Sequence, residues 1–374
     1  MASELAAAAA CRPRYEILDG LRGVAAMLVV WYHFFEAFAT SPVDQLMNHG
    51  YLAVDFFFVL SGFVIGYAYD GRRIGAGQFM LRRVVRLQPM VVLSVVLGAV
   101  AYLVQGSVRW DGTPVPFVHV AVALVLGLFM IPVLPCAAAD VRGNGEMFPL
   151  NGPAWSLFFE YIGSVAYAVV LRRLSARALV WVVAISAVGL ACCVAGNMSG
   201  AYHQGLGWTL AGGGFWGGLC RLSFSFSMGL LLTRNFRPRH VGGAFWICAA
   251  VIAVVMGCPY VGGAEPSVWN GVYDLVCTFF VFPAVVWVGA CGATTDAFST
   301  RVCEFSGRMS YPLYIVHYPV MYLFYAWVWA GNVSLDHALP VCVALFVLVI
   351  VMARCALKWY DMPVRLYLNK LLNK

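Results

Sequence analysis

Charge is scarce in this sequence. Asp, Glu, Lys and Arg make up only 11% of its 374 residues, against about 25% in soluble domains. That leaves too little polar material to coat a globule of this length, which excludes a soluble fold. The alternating polarity of membrane β-barrel strands is also missing, because the apolar runs are continuous. The twelve cysteines form no CxxC pair and no Cys/His cluster at zinc-ligand spacing. Neither a disulfide framework nor a metal site is legible, and Cys192 and Cys193 read as small packing residues. The segment through Arg14 lacks the short apolar core and cleavage site of a signal peptide, so the first long apolar run reads as a retained helix. There is no internal repeat, low-complexity tract or soluble domain, and the Ala6–Ala10 run reads as a frayed end.

What is present is apolar. Hydrophobic residues make up 62% of the chain, and the mean hydropathy is +0.81. A membrane-spanning helix needs about 20 mostly apolar residues. Eleven runs approach that length: Ile17–Phe38, Tyr51–Tyr69, Pro89–Val104, Phe117–Leu134, Ala154–Leu171, Ala178–Ala195, Phe215–Leu232, Val241–Met256, Asn270–Cys291, Tyr311–Ala330 and Leu339–Leu357. The chain reads as all-α, a polytopic transmembrane helical bundle. The net charge of +7 belongs on cytoplasmic loops in such a protein and implies no nucleic-acid partner.

The positive residues orient the bundle. Arg72, Arg73, Arg82, Arg83 and Arg86 mark one cytoplasmic connection. Arg172, Arg173 and Arg177 mark a second, Arg234, Arg237 and Arg239 a third, and Arg301 and Arg308 a fourth. Arg12 and Arg14 at the start, and Lys358, Arg365, Lys370 and Lys374 at the end, also fall inside. Between Arg86 and Arg172 the crossings must be even in number, yet three runs lie there. The run Phe117–Leu134, bracketed by Pro114, Pro116, Pro132 and Pro135, is expected not to span. About ten spanning helices result, plus one re-entrant or surface helix, with both termini cytoplasmic. Arg109 and Arg142 alone among the 24 basic residues then lie outside.

Ionisable groups inside the bilayer are costly and mark functional candidates. The first helix carries Asp19, Arg22, His33 and Glu36. Arg22 and His33 lie about 20° apart around its axis and about 16 Å apart along it. Glu36 is one turn past His33, with an interfacial position as the competing reading. Counting from helix ends places Asp55, Glu160 and Arg221 at the depth of His33, a ring that could activate a base; structural ion pairing is the alternative. Ser61 is a conceivable nucleophile, although packing through Ser61, Gly62 and Gly66 explains it better. Ser156 shares a face with Glu160, and Trp155 precedes it. Arg82, Arg83 and Arg86 suit phosphate recognition, or anchoring alone. His317 is expected about two turns in from the cytoplasmic side, near Arg22.

The segments LDGLRGVAAMLVVWYHF, GYLAVDFFFVLSGFVI, FMLRRVVRLQP, GPAWSLFFEY and SYPLYIVHYP follow one another in the order seen in the membrane acyltransferase-3 family, which the chain resembles along essentially its whole length. That family includes O-acetyltransferases of O-antigen, exopolysaccharide, Nod factors and macrolides. The resemblance implies a ten-helix bundle and essential roles for Arg22 and His33. It also matches Glu36 to an acidic family position, Arg83 and Arg86 to the RxxR element, and Glu160 to the WSLxxE glutamate. Gln88 departs from the pattern, where an aromatic usually precedes the proline. Residues 1–374 are expected to form one integral-membrane domain of the stand-alone form, without an SGNH-type extracytoplasmic domain.

The expected activity is O-acyl transfer, with no resident cofactor and acetyl-CoA or another acyl-CoA as donor substrate. The acceptor is expected to be a hydroxyl of a carbohydrate or lipid-linked glycan, with membrane lipid as a further partner. Expected catalytic residues are His33, Glu36, Asp55, Glu160 and Arg22. Arg82, Arg83, Arg86 and His317 are expected to bind the donor, and Arg221, Ser156 and Trp155 to serve the oxyanion or acceptor. The expected location is the bacterial cytoplasmic membrane. The alternative is a proton-coupled transporter of small anions or acylated sugars, against which stands the lack of paired broken helices in two matching halves.

Overall fold

The structure, a computed structural model, describes residues 15–39, 43–262 and 265–372. The expectations for Ala6–Ala10, Arg12, Arg14 and Lys374 lie outside the described residues. The chain is 72% helix, and no β-strand occurs among the described residues. The helices are α1 (Glu16–Glu36), α2 (Ala53–Tyr69), α3 (Ala76–Val104), α4 (Phe117–Leu128), α5 (Ala154–Val169), α6 (Ala176–Ala195), α7 (Gly214–Asn235), α8 (Ala244–Gly257), α9 (Val268–Val276), α10 (Phe282–Cys291), α11 (Ala297–Val316), α12 (Tyr318–Gly331), α13 (Leu335–Ala356) and α14 (Met362–Leu372). A π-helical turn joins α9 to α10, and another joins α13 to α14.

Eight helical stretches among the described residues are long and apolar enough to cross a bilayer. The outermost, α6 and α13–α14, bury only 28% and 22% of their apolar windows. Trp181, Ile185, Val188 and Val347 there point outward and are exposed. An apolar surface of that extent is stable only against lipid. The protein is a multi-pass integral membrane protein.

Close helix contact rests on glycine, as expected where lipid supplies no hydrophobic drive between helices. The longest seam runs between α1 and α11. At Gly23 a Cβ would stand 2.1 Å from the Ser306 carbonyl oxygen. The α2–α7 seam uses Gly62 in the same way, its absent Cβ lying 2.0 Å from the Phe226 carbonyl oxygen. Gly62 is thus a packing residue.

Three basic connections converge at one end of the bundle. Arg172 donates to the Ile74 carbonyl at 2.7 Å, and Arg234 pairs with Asp70 at 2.8 Å while donating to the Leu171 and Leu174 carbonyls. At the other end the segments 129–153 and 196–213 are joined by the Met147 N–H bond to the Trp208 carbonyl, 2.9 Å. Helix α4 has 12 residues, about 18 Å, too short for a hydrocarbon core of about 30 Å. Its Leu128 carbonyl accepts from Gln88, near the middle of α3, at 2.6 Å, and the chain then turns back toward Met147 through Val133. Gln88 also accepts from Tyr161 at 2.9 Å, so the residue that departs from the family pattern ties α3 to both α4 and α5.

Candidate active site

The α1–α11 seam sets two groups of polar side chains side by side. Asp296 caps α11, accepting from the Ser299 N–H at 2.8 Å. From there the helix presents Ser310 to Arg22 and delivers His317 to His33. Arg22 Nε donates to Ser310 Oγ at 2.9 Å, and its Nη2 to Asp19 at 2.9 Å. The rings of His33 and His317 stack 5.3 Å apart, 28° from parallel.

Arg22 lines a cavity of about 110 Å³ together with Arg83, Arg86, Glu160 and Ser61. Arg83 pairs with Glu160 and donates to Ser164 at 3.2 Å, while Ser61 donates to Glu160 at 3.1 Å. Arg86 lines the cavity and makes no side-chain hydrogen bond among the described residues. Arg82, expected to join this group, is exposed and outside the cavity lining.

A second cavity of about 870 Å³ opens beside His33 and Glu36. His33 Nδ1 lies 2.7 Å from Glu36 Oε2, and the Tyr325 hydroxyl donates to the same oxygen at 2.8 Å. That leaves Nε2 as the ring nitrogen open to chemistry. The edge of His33 meets the Tyr318 ring at 4.8 Å. His317 Nδ1 lies 3.1 Å from the Leu313 carbonyl, and its buried Nε2 has no hydrogen-bond partner among the described residues. Trp155, Glu146 and His203 complete this wall. Glu146 accepts from Tyr322 and from Asn144 at 2.8 Å, and burial pushes its carboxyl up. His203 accepts the Gly205 N–H at 3.0 Å, and burial pulls its imidazole down to about 4.

The expected ring of His33, Asp55, Glu160 and Arg221 separates into three pairs. Asp55 does not reach His33. It faces Arg221 through contacts of 2.7–3.2 Å, both side chains fully buried. Arg221 also donates to the carbonyls of Leu206 (2.6 Å) and Tyr51 (2.9 Å), and its guanidinium carbon lies 5.3 Å from the Trp155 ring centroid. A buried pair so fully engaged braces α2, α7 and the segment 196–213, and Arg221 also lines the cavity beside His33.

Glu160 sits with Arg83 rather than at the depth of His33. The reason is the start of α5, which is tucked into the bundle: Asn151 donates to Ser94 (2.8 Å) and to the Ile315 carbonyl (3.0 Å). Counting turns from a common surface therefore misplaced Glu160. His317 is corrected the other way. Its helix begins at Ala297, not near Tyr311, so it lies 20 residues, about 30 Å, from that end. It belongs with His33 and not with the arginines.

Ser156 is buried against Tyr314, their hydroxyl oxygens 2.7 Å apart. Sequence reasoning missed Ser310, Tyr314, Tyr318 and Tyr325. The first three lie within SYPLYIVHYP, which was a signal for them; Tyr325, one of many aromatics in an apolar helix, had none. Among the described residues, no three His, Cys, Asp or Glu side chains lie together so as to hold a metal ion.

A family model described as an acyltransferase domain matches residues 15–359. The chain is 39% identical over 188 residues to a Rhizobium radiobacter protein described as protein 2 in the picA locus, covering 47% of this chain and 93% of that protein. It is 24% identical over 390 aligned positions to several Staphylococcus aureus proteins provisionally described as O-acetyltransferases, covering 95% of this chain. The chain spans 58% of the length of those staphylococcal relatives. No solved structure matches it.

Proposed function

The chain belongs to the acyltransferase family whose model it matches, and on that premise we propose a membrane O-acyltransferase that carries acetyl from acetyl-CoA to a hydroxyl of a carbohydrate or lipid-linked glycan. The observation that carries this reading is the meeting of two unlike cavities. One gathers three guanidinium groups, Arg22, Arg83 and Arg86, of which Arg22 and Arg83 also hold acidic partners; such a positive cluster suits the phosphates of a nucleotide donor. The other presents an imidazole held by a carboxylate, in the roomier space that an acceptor needs.

In the proposed step, His33 Nε2 takes the proton from the acceptor hydroxyl as its oxygen attacks the thioester carbonyl carbon. The carbon–sulfur bond then breaks. The sulfur leaves and takes the proton back from the imidazolium, giving ester and free thiol. Glu36 holds the ring in the tautomer this requires. Family membership favours group transfer over the transporter alternative.

The positive-inside rule assigns the end with Arg172 and Arg234 to the cytoplasm. In this reading the chain passes ten times, with the 14-residue α8, α9–α10, α11–α12 and α13–α14 each one pass, and α4 dips in from outside because the crossings between Arg86 and Arg172 must be even in number. Both termini then face the cytoplasm of a bacterial inner membrane. Cysteines introduced at Asp111 and Asn144 in a cysteine-free background would label from the same, outer side; labelling from opposite sides would remove the ten-pass reading. The activity itself is tested with purified protein in detergent: thiol release from acetyl-CoA, raised by a glycan-containing membrane extract. A preparation that leaves acetyl-CoA intact under both conditions overturns the proposal.

A further inference from the structure

The two cavities share two lining residues among those described, Val54 and Tyr314. Tyr314 stands on α11 one turn beyond Ser310, the Arg22 partner, and less than one turn before His317, which stacks on His33. Its level is therefore midway between the guanidinium groups and the imidazole. A thioester entering from the arginines toward His33 has to pass its ring. Val54 offers no polar side-chain atom, so at the junction Tyr314 carries the only side-chain donor the two linings share.

The Tyr314 hydroxyl is placed for re-aiming. It lies 2.7 Å from Ser156 Oγ and 3.4 Å from the Pro153 carbonyl oxygen, which Ser156 also reaches at 3.0 Å. Either hydroxyl can donate across the pair; with the Ser156 proton on that carbonyl, whose shorter contact is Ser156, Tyr314 donates to Ser156 Oγ. Turning this donor toward a ligand costs Ser156 one accepted bond and leaves no carbonyl unpaired. Two charged candidates already hold other partners, Arg221 with Asp55 and two carbonyls, and Arg22 with Asp19 and Ser310, while Arg86 is assigned above to the donor phosphates.

We infer that Tyr314 is a catalytic residue whose hydroxyl donates a hydrogen bond to the thioester carbonyl oxygen at the junction of the two cavities. The inference rests on the acyl-transfer reading above. No proton is transferred in this contact. The bond strengthens as the oxygen gains negative charge in the tetrahedral intermediate, which is where a fixed donor accelerates acyl transfer.

Tyr314→Phe keeps the ring and removes the donor. Thiol release from acetyl-CoA is expected to fall about 10²- to 10³-fold in kcat, with the KM for acetyl-CoA within about twofold. Tyr102→Phe is the control: it removes another buried hydroxyl, one that donates to the Val141 carbonyl at 2.8 Å, and is expected to keep wild-type kcat. The decisive readout is isotope-edited infrared spectroscopy of bound [1-¹³C]acetyl-CoA. A carbonyl stretch lowered by hydrogen bonding in the wild type and restored upward in Tyr314→Phe supports the assignment. An unshifted band in both proteins overturns it, even if kcat falls, because the loss is then structural. Undiminished kcat in Tyr314→Phe overturns it as well. Failure of the wild type to bind acetyl-CoA sinks the acyl-CoA reading instead, and the inference with it.

Discussion

Glu36 Oε2 lies 2.7 Å from Nδ1 of His33, one turn back on the same helix, and takes a second hydrogen bond from Tyr325 at 2.8 Å. The carboxylate is held from two helices, so the imidazole it orients is held too. A ring fixed through Nδ1 presents Nε2 to the cavity, the arrangement a general base needs.

Replacing the base should cost more than replacing its holder. His33→Gln is expected to insert normally and lose about 10²- to 10⁴-fold in kcat. Glu36→Gln, which keeps a hydrogen-bond acceptor but loses the charge, should lose less than His33→Gln. Steady-state thiol release from acetyl-CoA measures both. A His33→Gln enzyme at near wild-type rate would make the histidine a packing residue.

Arg86 isolates the donor question, because among the described residues its side chain makes no hydrogen bond that its removal would orphan. Removing one charge-assisted contact costs about 1.5–3 kcal/mol, so Arg86→Ala should raise the KM for acetyl-CoA about 10- to 100-fold. The effect should shrink with acetyl-pantetheine, which lacks the nucleotide phosphates. Equal effects on both donors would return Arg86 to membrane anchoring. Arg83→Ala is a poorer test, since it strips Glu160 of its partner.

Arg221 and Asp55 should report on stability. Removing one member of a buried pair leaves the other charge uncompensated, at a cost of about 3–5 kcal/mol. Arg221→Met is therefore expected to lower the melting temperature and the yield of monodisperse protein in detergent. A folded Arg221→Met protein with a wild-type melting curve and no activity would support the oxyanion role.

His203 makes acid a structural stress. Burial lowers its imidazole from 6.5 to about 4. Between those values the unfolded chain binds a proton that the folded chain refuses, so stability falls as pH falls, by up to about 1.4 kcal/mol per pH unit. Above pH 6.5 the group is neutral in both states and contributes no slope. His203→Gln, whose carbonyl can still accept the Gly205 N–H, should flatten the fall in melting temperature between about pH 6.5 and 4.5. An unchanged slope would show that other groups govern acid sensitivity.

Much of the bundle was legible because lipid imposes a simple rule: the backbone must satisfy itself over about 20 apolar residues. The runs Ile17–Phe38 and Ala178–Ala195 match helices within a few residues. The proline-bracketed Phe117–Leu134 run shrank to a 12-residue helix, in keeping with a segment that does not cross. Hydropathy failed where helix and apolar run differ. The first half of α11 carries Arg301, Glu304 and Arg308, so the apolar run begins only near Tyr311, and counting from there sets His317 some 20 Å from its true level.

Within the site, helical periodicity sufficed for contacts along one helix. Arg22 with Asp19, and His33 with Glu36, follow from a spacing of three residues. The sequence by itself thus determined an all-helical membrane protein and the polar faces its helices carry. Partnership between helices was decided only in three dimensions, because it depends on how far each helix slides along its neighbour. The glycine contacts at Gly23 and Gly62 and the inward tuck at Asn151 set that offset. A slide of one turn, about 5.4 Å, changes which ionisable groups meet. It is that offset which gave Asp55 to Arg221, Glu160 to Arg83 and His317 to His33.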